Sequence, residues 1–480
     1  MENISKELAD IVGSGFVLDD PDTIEKYSRD NSFVPPRSAS AVIKPNSTEE
    51  VKKIVKLCNK YKIPITPCSS GIHFYGNTIP NQGGIIVSLE RMNKILKIDK
   101  RNRHAVVEPG VTWGQLQNEL DKHGFICLTP LLPHHLKSVV SSTLEREPMC
   151  IPKHQYADPA LTMEVVLPTG DLFRTGSSSF DKGNLTAMPY GPGLDFFRFM
   201  QGAQGTMGII TWLGVKIEVK PTLQKLYFMS CEKFEDAVEP VYRILRKIIG
   251  EECFILNKFN LANILTEDWP NEFEELKNTL PPWTVILCLE GLKRFPKEKV
   301  EAQEKAVLEL ARELPFEIVP VLPEFPYIES RLTKLLRKPW PKDIKYWKNR
   351  YKGSSHDIFF HTTLDRVKEF IDIMYKTAER SGYPPNEIGG YVQPLERGRV
   401  CHCEFNLFCN MDDPQDVERV SQLFNEASEQ LISNGAFFTR PYGPWAKMMY
   451  SRMESYTREL KKIKKIFDPT NIMNPGKLCF

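Results

Sequence analysis

Long hydrophobic runs are missing from this sequence. No stretch of about 18 consecutive apolar residues occurs in the 480-residue chain, so no membrane-spanning helix is predicted. The opening residues, MENISKELAD, contain no basic segment followed by an apolar one, and a secretory signal is not expected there. These two absences favour a cytoplasmic location.

An excess of one charge is also missing. The chain has 63 basic and 61 acidic residues, a net charge of +2, which favours neither a nucleic-acid surface nor a polybasic membrane patch. A basic, aromatic stretch at 335–361 departs locally from this balance. In a nearly neutral chain we interpret that stretch as a solvated loop or lid.

Closely paired cysteines are absent as well. The eleven cysteines are scattered and none shows CxxC spacing, so zinc-ribbon and cubane-cluster sites are not predicted. Without a secretory signal, reduced thiols are expected. Cys401 and Cys403 alternate on a predicted strand, where burial as small apolar side chains is favoured over metal binding. No metal is predicted.

The length of the chain and a change in its sequence pattern indicate more than one domain. Up to about residue 220, short apolar strands alternate with amphipathic helices, such as the capped pattern at 46–62, and 162–176 has the pattern of a β-hairpin. Beyond Pro221, long charged helices alternate with strands, including a strand pair at 389–410. We expect an α+β protein with domains at 1–220 and 221–434 and a tail, 435–480, that returns to the first.

The loop TPCSSGIHFYG at 66–76 contains several small residues. Such residues let successive backbone N–H groups approach an anion, although a tight surface turn would have the same composition. The loop is not a dinucleotide fingerprint, and it contains His73 and Tyr75, which a simple phosphate cradle does not need.

Seven segments in order resemble one family. They are VIKPNSTEEVKKIVKLCNKYKIPITP, SSGIHFYG, VEPGVTWGQLQNEL, SSTLERE, MEVVLPTGDLFRTG, GTMGIIT and FDPTNIMNPGKL. This pattern is similar to the flavoproteins of the vanillyl-alcohol oxidase and p-cresol methylhydroxylase superfamily and covers nearly the whole chain. TLER and DFFRFMQGAQGTMGIITWLG resemble the aryl-alcohol and alkylphenol oxidase branch more than the glycolate-oxidase branch.

The resemblance implies an FAD-binding domain of the p-cresol methylhydroxylase type (PCMH-type) in two subdomains, with a cap domain of antiparallel sheet and helices. It implies that FAD accepts a hydride at N5. Three segments would contact FAD: Pro67, Ser69, Ser70, Gly71, Ile72, His73, Tyr75 and Gly76; Ser138, Ser141, Ser142, Thr143 and Glu145, continued at YADP (156–159); and Gly205, Gly208, Ile209 and Ile210. For Glu145, a surface pair with Arg146 is the alternative.

Four residues are candidates for catalysis: Tyr75, His402, Glu404 and Arg440. The resemblance implies that Tyr75 binds a phenolic oxygen, although a packed ring is the alternative. His402 and Glu404 lie two apart on a strand, share a face, and would accept a proton or bind a metal. Phe437-Phe438 replaces the tyrosine and arginine that the family uses around a phenolate, with Arg440 two positions on.

Several points stay open at this stage. LLPHHLK (131–137) has no carboxylate where the aryl-alcohol oxidases have an acidic residue. Covalent FAD would involve His356 or His361. The substrate is expected to be an alcohol or an alkylphenol. One alternative is a 2-hydroxy acid held by Arg440 or Arg397. The other alternative is that the chain is the flavin subunit of an electron-transfer complex. The electron acceptor is oxygen or a redox protein, and a homodimer is one expected state.

Overall fold

The computed structural model describes residues 2–150, 159–180, 186–314, 316–322 and 324–480. In the first subdomain, a small sheet with the order β1-β2-β4-β3 packs against helices, and β2 and β3 run parallel to β4. Its elements are β1 (Val17–Leu18), β2 (Ala41–Ile43), β3 (Ile65–Cys68), β4 (Ile85–Ser88), α1 (Glu2–Val12), α2 (Pro21–Ser28) and α3 (Thr48–Tyr61).

Helix α3 shows why its sequence folds as predicted. The Ser47 side chain accepts a hydrogen bond from the Glu50 N–H and caps the first turn. Val51, Ile54, Val55 and Cys58 form one buried stripe, and Lys62 ends the helix in a left-handed conformation.

The second subdomain contains an antiparallel sheet with the order β5-β6-β10-β8-β9, and β7 pairs with β10. The predicted hairpin is confirmed, because Val166 pairs with Leu172 across its turn. The elements are β5 (Ile95–Asp99), β6 (His104–Val107), β7 (Phe125–Cys127), β8 (Ala160–Val166), β9 (Leu172–Arg174), β10 (Ile209–Val219), α4 (Trp113–Asp121), α5 (Val139–Leu144) and α6 (Phe197–Met200).

The sheet of the cap region begins just after Pro221. Its six strands are antiparallel, in the order β11-β13-β12-β15-β16-β14. They are β11 (Leu223–Cys231), β12 (Glu252–Asn257), β13 (Trp283–Gly291), β14 (Ser354–Thr362), β15 (Gly389–Leu395) and β16 (Val400–Cys409).

Helices cover both faces of this sheet with two separate apolar cores. The helices are α7 (Val238–Arg246), α8 (Lys258–Leu265), α9 (Asn271–Thr279), α10 (Pro296–Glu313), α11 (Ile328–Leu335), α12 (Trp347–Arg350), α13 (Val367–Arg380) and α14 (Pro414–Ser433), followed by α15 (Pro444–Tyr450) and α16 (Glu454–Phe467). Short 3-10 turns occur at Ser14–Phe16, Gly176–Ser179, Phe234–Ala237, Leu364–Arg366, Pro385–Glu387 and Glu396–Gly398.

The tail divides between the two parts of the molecule. Phe438, Tyr442 and Trp445 pack in the core of the cap region, whereas Ile472 and Met473 join the core of the first subdomain. Met473 lies parallel to Ile65 of β3 in an isolated bridge. The residues around 472 therefore pack on the first subdomain, and those around 438–445 pack on the cap region.

The prediction of a solvated loop or lid at 335–361 is wrong for much of that stretch. Trp340 and Trp347 are buried, and the stretch contains α12 and most of β14. The rings anchor the stretch in the core beside α8 and α11, so the local basic composition misled the interpretation. Among the helices of the described ranges, none is long and apolar enough to cross a bilayer.

Candidate active site and cofactor cleft

The three predicted cofactor segments meet at a cleft between the first and second subdomains. Its lining includes Pro67, Ser69, His73, Asn77, Ser141, Glu145, Gly205, Gly208, Ile209 and Ile210. The segments are distant in sequence, and β3, α5 and β10 bring them to one place.

The loop after β3 presents unused donors to this cleft. From Ser69 to Tyr75, no backbone N–H donates a hydrogen bond to another residue of the described ranges. The Ser70 hydroxyl is buried and has no partner among those residues. The Ser69 and Ser141 hydroxyl oxygens lie 2.5 Å apart and tie the loop to α5. Such a concave row of N–H groups suits a diphosphate.

Contacts on both sides hold this loop in position. The Gly76 N–H donates to Asp30 Oδ2 at 2.6 Å, and the Gly76 carbonyl accepts from Lys477 Nζ at 2.7 Å. His73 Nε2 lies 3.0 Å from Cys68 Sγ, and burial lowers the pKa of His73 to about 4. His73 is therefore a neutral packing residue that stabilises the loop from within.

Glycines allow close approach at the opposite wall. Gly205 has φ +72°, and a Cβ at this position would collide with the Pro67 ring. Gly208 leaves equally little space, against the Val166 carbonyl. The glycines thus let the 205–210 segment pack closely against β3 and β8. The feature that fits FAD is the loop from Ser69, whose unused N–H groups and unpartnered Ser70 hydroxyl would hold the diphosphate.

Not every predicted cofactor residue faces the cleft. The Ser142 hydroxyl accepts a hydrogen bond from Trp113 Nε1 at 3.0 Å, the Thr143 hydroxyl donates to the Val139 carbonyl, and the Ser138 hydroxyl donates to the Pro109 carbonyl. These three side chains hold α5 in position. Gly71 lies in open space, and Ile72 is not among the lining residues. Residues 156–158 of YADP lie outside the described residues.

Glu145 and its neighbour Arg146 point to different partners. Glu145 accepts a hydrogen bond from Asn77 Nδ2 at 2.6 Å, and burial raises the pKa of Glu145. Arg146 donates to the Thr439 carbonyl at 2.9 Å. Instead of the surface pair considered above, Glu145 borders the cofactor cleft and Arg146 links α5 to the tail.

A second cavity, the substrate pocket, lies between the loop carrying Tyr75 and the cap sheet. It includes three of the four predicted catalytic residues, Tyr75, Glu404 and Arg440. Its remaining walls are mainly aromatic or charged: Phe74, Lys137, Glu147, Tyr346, Trp347, Lys348, Asp357 and Tyr391. Such a ring-lined cavity with a few converging polar groups is typical of a ligand site.

Strand register explains why polar side chains gather on one face of the cap sheet. Directly paired residues project to the same side, and the pairs are Asp357 with Asn406, Phe359 with Glu404, and His361 with His402. On the other flank of β16, Tyr391 pairs with Glu404 and Gln393 with His402. The polar face is therefore a product of the β15–β16–β14 register.

His402 and Glu404 form a buried pair. His402 Nε2 lies 3.0 Å from Glu404 Oε2, and His402 is fully buried behind the carboxylate. Burial lowers the pKa of His402, although Glu404 partly offsets this effect. Burial alone would raise the pKa of Glu404, but Lys348 and His402 outweigh it and hold that pKa well below its usual range. The pair is therefore a neutral imidazole beside a carboxylate.

Lys348, from α12, neutralises the carboxylates of this face. Its Nζ donates to Asp357 Oδ2 at 2.6 Å and to Glu404 Oε1 at 2.5 Å. The Asn406 amide donates to the same two carboxylates, at 2.6 and 2.8 Å. Although burial opposes its charge, the two carboxylates hold the pKa of Lys348 above its usual range.

Tyr75 and Arg440 stand opposite this network. The Tyr75 ring stacks on Tyr442 with ring centres 4.8 Å apart, and burial raises the pKa of Tyr75 well above its usual value. The Arg440 guanidinium is 3.9 Å from the centre of the Phe359 ring, which Tyr75 meets edge-on. A tyrosine hydroxyl and a guanidinium thus border the same pocket.

Three ion pairs of the pocket were missed by sequence reasoning. Lys137 pairs with Glu147, and Lys348 pairs with Asp357 and Glu404. Lys137 belongs to the LLPHHLK segment and Glu147 to SSTLERE, but neither spacing indicates the pairing. Alternation in β14 was the available signal, because it places Asp357, Phe359 and His361 on one face.

The remaining candidates lie away from the pocket. His356 projects to the other face of β14 and stacks on Phe33, with ring centres 3.7 Å apart. Arg397 is exposed in the turn after β15. His134 and His135 stack on each other near Tyr346. Of the two histidines considered for covalent FAD, His361 therefore shares the face of His402, and His356 does not.

One buried group in the described ranges has metal-binding side chains within reach of one another. It contains Glu252, Cys288 and Glu290. Arg337 forms ion pairs with both carboxylates, which accounts for their charge. This group belongs to the cap core and is separate from the substrate pocket.

Comparisons with known proteins match two parts of the chain to described families. Residues 39–176 match the family described as FAD binding domain, and residues 400–478 match FAD linked oxidases, C-terminal domain. The 4-cresol dehydrogenase [hydroxylating] flavoprotein subunit of Pseudomonas putida is 33% identical, over 97% of this chain and 93% of the relative.

Two further similarities frame the substrate question. A D-lactate dehydrogenase of Anaerostipes hadrus is 30% identical, over 92% of this chain and 89% of the relative. The crystal structure of p-cresol methylhydroxylase with substrate bound superposes with a TM-score of 0.85 at 22% identity, over 100% of this chain and 96% of that chain, which supports the fold. The chain belongs to the PCMH-type family of FAD-linked oxidoreductases.

Proposed function

We propose that this oxidoreductase acts on an aromatic alcohol or an alkylphenol. The observation that carries the proposal is the convergence of Tyr75, Arg440 and Glu404 on one pocket walled by aromatic rings. Flat rings such as Phe74, Tyr346 and Tyr391 suit an aromatic substrate through stacked and edge-on contacts.

In this proposal, the substrate oxygen lies near Tyr75 and Arg440. The raised pKa of Tyr75 keeps its hydroxyl protonated, so it is available as a hydrogen-bond donor at neutral pH. Arg440 carries a permanent positive charge and would stabilise negative charge that develops on the oxygen. Tyr75 and Arg440 would take the roles of the tyrosine and arginine of the family pattern, because Phe437 is exposed and Phe438 is buried in the cap core.

In this proposal, the Glu404–His402 pair receives the proton that the substrate releases. Glu404 borders the pocket and would accept a hydrogen bond from the substrate, and His402 Nε2 lies behind it at 3.0 Å. The neutral His402 donates its Nε2 proton to this carboxylate in a hydrogen bond, so the substrate proton would stay on Glu404, and His402 would orient the carboxylate. Lys348 keeps Glu404 ionised and orients it.

Bound FAD supplies the hydride acceptor, its N5 atom. We propose that the N–H groups from Ser69 to Tyr75 and the Ser70 hydroxyl bind the diphosphate. Ser69 and Ser141 would line the cleft beside the diphosphate, and the Gly205–Ile210 segment would pack against the remainder of the cofactor.

A 2-hydroxy acid is the second candidate substrate, because a D-lactate dehydrogenase is among the relatives. A carboxylate substrate needs a cation that the protein does not already neutralise. Lys137 pairs with Glu147, and Lys348 pairs with Asp357 and Glu404, so neither lysine is available to a substrate carboxylate. The charge balance of the pocket therefore favours an uncharged aromatic substrate.

Anaerobic stopped-flow reduction tests this choice. The purified holoprotein is mixed with p-cresol, benzyl alcohol, 4-(hydroxymethyl)phenol, D-lactate or glycolate, and the visible flavin absorbance is followed. We expect bleaching by at least one of the three aromatic compounds and not by the two hydroxy acids. Bleaching by D-lactate or glycolate alone would replace the proposal by its alternative.

Two further measurements complete the assignment. Reoxidation of the reduced protein by air, compared with reoxidation by a co-purifying redox protein, separates an oxidase from a dehydrogenase. Acid precipitation shows whether FAD is covalently bound, since yellow colour in the pellet indicates a bond. His361 is then the first histidine to replace, because it lies on the pocket face of β14.

A further inference from the structure

A third cavity, which we call the outer cavity, borders the substrate pocket. Phe74, Tyr75 and Asp357 line both cavities and form the partition between them. The other walls of the outer cavity come from the segment 32–37, from α14 and from the start of α15. No part of the proposed reaction uses this cavity.

The outer cavity is lined by stacked rings. Phe424 stacks on Trp445 with ring centres 5.2 Å apart, and Phe33 packs edge-on against Phe424 at 5.8 Å. Phe33 and Phe424 are only partly buried, so aromatic surface is open to solvent beside the partition. Arg37 also lines the cavity, but its side chain is exposed and donates to the Asn81 carbonyl at 2.6 Å. The ring-lined walls therefore match a flat aromatic molecule without a charge.

The partition itself consists mainly of rings. Phe74 and Tyr75 are consecutive residues of the loop after β3, and each is only partly buried. The Tyr75 ring contacts Tyr442 of the outer cavity and Phe359 of the cap sheet. Rotation of one or two aromatic side chains, a motion that needs no change of fold, would therefore join the two cavities.

We propose that the outer cavity is a binding site for an uncharged aromatic ring, through which the substrate reaches the substrate pocket past Tyr75. The proposal rests on the proposed function, because it assumes an aromatic substrate. Phe33 covers the site from a segment anchored by two backbone bonds, Asn31 N–H to the His73 carbonyl and Arg37 N–H to the Ser28 carbonyl.

Obstruction of the outer cavity tests the proposal. Ser421 and Asn425 lie one turn apart on α14 and line the cavity, whereas Gln422 is exposed and does not. Ser421→Trp and Asn425→Trp fill the cavity independently, and Gln422→Trp is the matched control.

The probe is p-cresol, mixed with each holoprotein in a stopped-flow instrument. The readouts are the association rate constant, from the perturbed flavin spectrum, and the limiting rate of flavin reduction.

The expected result separates access from chemistry. Both obstructing variants should lower the association rate constant at least tenfold and leave the limiting reduction rate within twofold, and Gln422→Trp should change neither. Equal association rates in Ser421→Trp, Asn425→Trp and Gln422→Trp, or no binding of p-cresol to the wild type, would overturn the proposal. If p-cresol binds through the outer cavity but no aromatic compound reduces the flavin, only the proposed function fails.

Discussion

At the scale of single residues, this protein holds charges in pairs and leaves few polar groups for a substrate. Lys137 has Glu147, and Lys348 has Asp357 and Glu404. A buried charge without a partner costs several kcal/mol, so these pairs remain fixed while a substrate enters. In the proposed function, the Tyr75 hydroxyl, Arg440 and Glu404 are then the groups that meet the substrate.

Tyr75→Phe tests the role of this hydroxyl. Removal of one donor to a developing negative charge typically lowers a rate by about 10²-fold. We expect a limiting rate of flavin reduction about 10²-fold lower for the aromatic substrate, with unchanged FAD content, because the ring and its stacking on Tyr442 remain. Stopped-flow reduction and the flavin absorbance of the purified protein measure the two quantities.

The matched control is Tyr27→Phe. Tyr27 donates to Glu90 in the first subdomain and lines neither cavity of the site. It should leave both quantities unchanged. A Tyr75→Phe variant with wild-type turnover would show that the ring only packs.

At the scale of elements, α12 is a single turn that decides the electrostatics of the cap sheet. It carries Lys348 into the face on which β14 and β16 place Asp357 and Glu404. Without a cation, two buried carboxylates that share Asn406 cannot both remain ionised near neutral pH, because their like charges repel each other.

Lys348→Met should therefore make the rate of flavin reduction depend on pH, because a carboxyl group of this face would then titrate near neutral pH. We expect the limiting rate of flavin reduction to fall at least about tenfold as the pH decreases through the neutral range, since Asp357 and Glu404 then share a proton and a protonated Glu404 cannot take the proton of the substrate. The wild-type rate should stay level in that range. The measurement is a pH profile of single-turnover reduction.

Lys348→Arg is the conservative counterpart, because it keeps the positive charge. Its profile should be level like that of the wild type, even if its absolute rate is lower. Superimposable profiles for Lys348→Met and the wild type would contradict a role for Lys348 in the ionisation of Glu404.

Individual helices and strands were easier to predict from the sequence than the contacts between them. Capping and periodicity are local, so α3, the β8–β9 hairpin and the β15–β16 strand pair could be read directly. The Lys348–Glu404 contact depends on how an irregular basic stretch packs, which no local pattern encodes. The same holds for Lys137 and Glu147.

At the scale of the whole molecule, buried neutral histidines link stability to pH. Burial lowers the pKa of His356 to about 3, and of His73 to about 4. An unfolded histidine titrates near 6.5, so between these values the unfolded chain binds more protons than the folded one. The free energy of unfolding must therefore decrease as the pH falls below about 6.5.

His356→Gln isolates one of these contributions. Between about pH 6.5 and pH 5, His356 should account for a loss of about 2 kcal/mol, at about 1.4 kcal/mol per pH unit. Urea unfolding of the holoprotein at both pH values should show a smaller pH effect in the variant, even though the variant loses its stacking on Phe33. Identical pH effects in the two proteins would argue against a neutral His356.

The contact between the tail and the cofactor loop also spans the whole molecule. Asn474 is buried; its side chain donates to the carbonyls of Asn77 and Gln204 and accepts from Thr66. It thus joins two walls of the cofactor cleft. Loss of buried hydrogen bonds typically costs about 1–3 kcal/mol, or about one to two factors of ten in affinity.

Asn474→Ala should consequently weaken FAD binding about 10- to 100-fold. The measurement is FAD content after gel filtration, together with reconstitution of the apoprotein. Asn278→Ala, at an exposed position of α9, is the control and should retain FAD. Full retention in Asn474→Ala would show that the tail does not support the cleft.

The Thr66–Asn474 bond has a further consequence for biosynthesis. Its two residues are 408 positions apart. At about 5–20 residues per second, a ribosome needs roughly 20–80 s to pass from one to the other. During that interval the loop from Ser69 has been synthesised but lacks its contacts with the tail. Stable binding of the flavin is therefore a late event. A chain that is released before residue 474 would lack the contact that retains the flavin.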